Sequence, residues 1–173
     1  MGRRRSLRHV GPPLAMAALL ALSVASTATA GSPAGGPERR AELDGQPIAL
    51  TDVARHHCHN RDLPLIRCFA GAAERDRDMV ARSAELADVT PFVTWYADAN
   101  FVKPPSFTAY SSESDLSRYG WNDKISSFHV LFGGHPRWWQ DAGNHGTWWD
   151  WGSVSISYVG DAANDKFSSV ERL

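Results

Sequence analysis

The chain has no surplus of charge of one sign: 18 Lys and Arg face 19 Asp and Glu across 173 residues, a formal net of −1. That balance excludes a strongly basic nucleic-acid binder. It also lacks an apolar run long enough to span a bilayer, since the longest, Leu14 to Ala25, is only about a dozen residues. There is no nucleophile-elbow glycine pattern and no zinc-protease helix motif, so the commonest sequence signs of a hydrolase are missing. Cysteine is scarce too, with Cys58 and Cys68 the only two.

The even charge balance conceals an uneven distribution. Residues 1–30 hold Arg3, Arg4, Arg5 and Arg8 and no acid, so removing them leaves fourteen bases against nineteen acids, a net of −5 over 143 residues. A basic start, the apolar stretch LAMAALLALSVA and the small residues Ala28-Thr29-Ala30 read as an export signal over 1–30, cut near Gly31. The expected destination is extracellular, with no membrane association after cleavage. In an oxidising compartment Cys58 and Cys68 are expected to form a disulfide. On the chain-entropy estimate, closing that loop is worth about 3 kcal/mol. The run HHCH at 56–59 also offers zinc-ligand atoms. Adjacent ligands point in different directions, however, and exported thiols are more readily oxidised.

Residues 31–47, rich in Gly, Pro and Ala, read as a flexible leader. Residues 48–90 read as a helical extension: Thr51 is placed to cap a short helix from Asp52 to about His59, and Ala72 to Ala87 forms a longer one. The charges of that helix, Glu74, Arg75, Asp76, Arg77, Asp78, Arg82 and Glu85, suit a solvated face. Leu63, Leu65 and Ile66, in the clipped loop, are expected to dock on the domain that follows. That domain begins near Pro91, where composition changes: all seven tryptophans lie between Trp95 and Trp151, in short aromatic or β-branched runs broken by turn residues.

Inside it a unit recurs. N122-D-K-I-S-S returns as N164-D-K-F-S-S at an interval of 42, and Trp95 to Ala99 aligns with Trp138 to Ala142 at an interval of 43. Two coincidences at nearly one offset indicate a supersecondary unit used twice, of the size of a four-stranded Greek key. Asn122, Asp123, Ser126 and Ser127, and their counterparts Asn164, Asp165, Ser168 and Ser169, offer only oxygen-bearing groups, apart from the asparagine amides, around an apolar Ile125 or Phe167. Such oxygens suit calcium; they also suit Asx turns that lock a loop without any ion.

Both hexamers match in full the pattern of calcium-binding Greek-key motifs, and residues 91–173 resemble the βγ-crystallin superfamily. The resemblance implies an all-β fold, a double Greek-key sandwich of two motifs (about 91–132 and 133–173) preceded by the disulfide-clipped extension. It implies paired Ca2+ sites, each drawing ligands from both motifs: the Asp123 and Ser126 side chains with the Lys124 carbonyl, and the Asp165 and Ser168 side chains with the Lys166 carbonyl. Asn122 and Asn164 would orient the loops. The family's aromatic-to-glycine hairpin signature is defective once in each copy, at Lys103, where glycine is expected, and at Asn144, where an aromatic is. One carboxylate per hexamer implies modest affinity.

No constellation fixes His129, His135, His145, Asp141 and Asp150 into a catalytic arrangement, so no catalytic residue and no enzyme activity is expected. The alternative to calcium is partner binding. Exported proteins similar to this family include metalloproteinase inhibitors, and alternation along the strands turns some tryptophans outward. Trp139 and Trp149 are the expected contacts for an extracellular protease or a glycan.

Overall fold

A computed structural model describes residues 38–83, 89–102 and 105–173. The expected export signal, residues 31–37 of the leader, the end of the long helix and Lys103 lie outside the described residues; the rest of the leader, expected to be flexible, is instead drawn into a paired hairpin. The first strands, β1 (Arg40–Leu43) and β2 (Gln46–Ile48), form a hairpin across Asp44 and Gly45. Both turn residues have positive φ, 48° and 82°, the backbone that Asp-Gly turns supply for tight hairpins.

The expected helix after Thr51 is replaced by a 3-10 turn, Leu50–Arg55, followed by strand β3 (His57–His59). Pairing decides this. Strand β3 lies between antiparallel β4 (Leu65–Phe69) and parallel β6 (Ser106–Ala109), with Cys58 directly opposite Cys68. The cysteines form a disulfide with an S–S distance of 2.05 Å, so they offer no thiolate to zinc. The extension thus combines helical turns with strands β3 and β4, and through those strands it continues the domain's sheet. Ile66 is sealed in the core, whereas Leu63 is exposed.

The single α-helix described, α1 (Ala72–Ser83), is held by its charges and not by an apolar stripe. Arg75, expected in solvent, is buried and donates to the Ser106 hydroxyl. His59 Nε2 donates to Asp78 at 2.9 Å, and Arg82 reaches both Asp78 and Asp62. Val80 is left exposed.

Strand β5 (Val93–Tyr96) pairs with β6 and with β7 (Ser127–Val130), completing a seven-stranded sheet in the order β2-β1-β4-β3-β6-β5-β7. A second sheet joins β8 (Pro136–Asp141) to β9 (His145–Asp150) and β10 (Ser169–Arg172) in the order β10-β8-β9. Aromatic rings join the sheets. Trp95 stacks on Phe107 at 4.7 Å and meets the edges of Trp121 and Trp138, while Trp138 stacks on Phe167 at 5.0 Å. Truncating one such ring costs about 3–5 kcal/mol. Neighbouring Glu113, also buried, accepts from Arg39, Asn60 and Tyr119 and so ties the extension to the connection leading into the first hexamer. Burial pushes its carboxyl pKa up, against the pull of Arg39.

Candidate calcium loops and an outward tryptophan face

The hexamers are built on one plan. Ile125 and Phe167 are fully buried, while Asp123, Lys124, Asp165 and Lys166 stand in solvent. Each aspartate turns the chain with a left-handed backbone, φ 55° at Asp123 and 56° at Asp165, a conformation Asn and Asp tolerate better than most residues. The Asn122 amide donates to the Asp123 carboxylate at 2.6 Å, and the Asn164 amide to Asp165 at 2.8 Å.

The two loops are also bonded to each other. The Asp123 N–H donates to the Phe167 carbonyl at 3.1 Å, and reciprocally the Asp165 N–H donates to the Ile125 carbonyl at 3.5 Å. Each loop is then clamped to its own motif's hairpin. Ser126 N–H donates to the Tyr96 carbonyl and Ser168 N–H to the Trp139 carbonyl. Ser127 Oγ donates to the Asp98 carbonyl and accepts from Phe101 N–H; Ser169 Oγ does the same with Asp141 and Asn144. Asn144, the departure from the aromatic pattern, has φ 60°, like Phe101 at 59° in the first copy. An asparagine therefore occupies the left-handed position at less steric cost than the aromatic it replaces.

The proposed donors are chemically suited to a hard cation: one carboxylate, one hydroxyl and one carbonyl from each hexamer. Ser126 Oγ and Ser168 Oγ make no hydrogen bond among the described residues, and the buried Asn164 Oδ1 has no partner either. No group of three or more His, Cys, Asp or Glu able to hold a metal occurs among the described residues.

The tryptophans divide by strand alternation. Register places Trp138 opposite Trp149 and Trp139 opposite Trp148. The first pair faces inward: Trp138 is sealed and Trp149 packs its edge on Phe167 at 5.4 Å. Trp149, expected at an outer face, instead packs inward against the core, and the exposed neighbour is Trp148, at 52%. Trp139 does lie on the outer face, 6.5 Å from the Trp148 ring. Adjacent tryptophans look alike in sequence, and only the register tells which of each pair turns out.

The histidines are dispersed. His129 stacks on Phe101, His135 is 2.6 Å from Asp150, and His145 is at the start of β9. The Gly152 N–H, followed by His135 and Arg137, holds the Asp150 carboxyl below its ordinary pKa.

About half of this chain (48%) aligns at 31% identity with 97% of a double mutant of a βγ-crystallin domain from Clostridium beijerinckii, with a TM-score of 0.43. An archaeal βγ-crystallin is 30% identical over 99% of its own length and 49% of this chain, with a TM-score of 0.43. The Clostridium beijerinckii domain in another structure is 28% identical over 95% of its length, 47% of this chain, with a TM-score of 0.42. No protein-family model matches the chain, and neither does any curated protein. Identity at this level, across nearly the whole of those domains, makes the chain a member of the βγ-crystallin superfamily.

Proposed function

We propose that the protein is exported and binds calcium at its paired hexamers, the ion stabilising the fold. The observation that carries this reading is the reciprocal bonding of the loops, Asp123 N–H to Phe167 and Asp165 N–H to Ile125. It brings oxygen donors about forty residues apart in sequence to neighbouring loops, an assembly that the unfolded chain lacks. Asp123, Ser126 and the Lys124 carbonyl, with Asp165, Ser168 and the Lys166 carbonyl, would form paired sites, each ion drawing ligands from both hexamers. Calcium supplies charge neutralisation and a cross-link between loops, and binding only the folded state adds stability by mass action. With one carboxylate per hexamer, affinity falls in the micromolar-to-millimolar range. The disulfide supports export, because such bonds persist in oxidising compartments.

The test is calorimetric calcium titration after chelator treatment. Wild-type protein should give saturable heat that disappears in the double variant Asp123→Ala, Asp165→Ala. Absence of heat up to about 10 mM calcium from folded protein would reduce the hexamers to loop locks.

A second reading, a partner-binding module independent of calcium, is favoured by the exposure of Trp148 beside Trp139. Its partner would be an extracellular protease or a glycan.

A further inference from the structure

The outer face of the sheet β10-β8-β9 brings together Trp139 and Trp148 with Arg137 and Asp150, since register sets Arg137 opposite Asp150 and alternation keeps all four on one side. The Arg137 guanidinium lies 4.8 Å from the Trp148 ring centre. Asp150 accepts from Arg137, from His135 and from the Gly152 N–H, so the charges on this face are already paired. Two donors beside the exposed ring are not: Arg137 Nε and Trp139 Nε1 are buried without hydrogen-bond partners. Their desolvation is uncompensated until an acceptor oxygen reaches them.

These features define the ligand. Internal pairing of the charges gives no purchase to an ionic ligand. Two rings with a polar rim form a far smaller apolar patch than the roughly 800 Å² that each partner contributes to a standard protein interface. What fits is a molecule with a flat C–H face and a fringe of oxygens. Polarised C–H groups sit well on the negative face of an indole, and hydroxyls at the ring's edge can accept from the unpaired donors.

We propose that this face binds a neutral, β-linked hexopyranose chain stacked on Trp148 and Trp139, with hydroxyls accepting from Arg137 Nε and Trp139 Nε1. The proposal rests on the second reading above and supplies its ligand. A ligand that shifts the half-exposed Trp148 ring gains access to Arg137 Nε and Trp139 Nε1.

The experiment titrates the full chain with cellohexaose and with chitohexaose, in chelator, by calorimetry and tryptophan fluorescence. One of the hexaoses should bind and perturb the fluorescence. Trp148→Ala should weaken that binding at least about tenfold without moving the melting temperature, and Trp148→Phe should retain part of it. Equal binding by wild type and Trp148→Ala would remove this face as a binding site and sink the second reading with it. Failure of wild type to bind either hexaose would overturn the sugar assignment alone, because a protease held there would still be lost with Trp148→Ala.

Discussion

Ser169→Ala removes one hydroxyl and should be among the costliest small substitutions in the domain. The side chain is fully buried, donates to the Asp141 carbonyl at 2.7 Å and accepts from Asn144 N–H at 3.1 Å. Alanine leaves the Asp141 carbonyl and the Asn144 N–H without this partner at a partly buried site. Two lost hydrogen bonds with stranded partners cost about 2–4 kcal/mol. In a unit of this size the melting temperature should then fall by roughly 6–15 °C. Ser127→Ala removes the equivalent clamp on Asp98 and Phe101 and should cost a similar amount. Ser168→Ala is the internal contrast: its hydroxyl bonds no protein group, so although the residue is buried no hydrogen bond is lost, and without calcium its effect should stay within about 0.5 kcal/mol. With calcium present, the same variant should lose the ion-dependent rise in melting temperature. Urea and thermal melts of the three variants, with chelator and with calcium, decide the matter. A cost below about 0.5 kcal/mol for Ser169→Ala would refute the claim that the last serine of each hexamer clamps its hairpin.

Acidification should destabilise the extension through His59. Burial lowers its pKa below 6.5 in spite of Asp78, so the unfolded chain binds the proton more readily than the folded one. The stabilising difference is therefore complete above about pH 6.5 and declines as pH falls through that value. His59→Gln should flatten the fall in melting temperature between about pH 7.5 and 5.5 relative to wild type; parallel curves would refute it. Gly120→Ala should destabilise by more than about 2 kcal/mol, because φ is +70° and the new Cβ would stand 2.6 Å from the Thr51 carbonyl oxygen. Chemical denaturation reads this directly, and a neutral result would mean that the 3-10 turn at Leu50–Arg55 yields freely.

The repeated hexamers carried most of the legible information. A buried residue flanked by turn-forming and hydroxyl residues can be read locally, and Ile125 and Phe167 occupy the core as that pattern requires. The reciprocal bonds between the loops are nonlocal and leave no local signature. The extension misled for the same reason. Leu50 to His59 has enough helical character to suggest a helix, but a strand there is fixed by partners at Cys68 and Phe107 that no local window contains. Arg75 is indistinguishable in sequence from its solvated neighbours, and only the packing of α1 against β3 and β4 puts Ser106 beneath it. At Trp148 and Trp149 the obstacle was phase: a shift of one residue exchanges the inner and outer faces of a strand.

The parallel pairing of β3 with β6 has a consequence for self-association. With β5 on its other side, β6 has both flanks hydrogen-bonded, and the sheet's margin moves out to β2, a three-residue strand containing Pro47. Short margins interrupted by proline are poor templates for another chain, because they offer few free N–H groups for a ladder to continue. The clipped segment thereby acts as a molecular hem. It finishes that border of the sheet with a short, proline-bearing strand, which disfavours edge-to-edge pairing there.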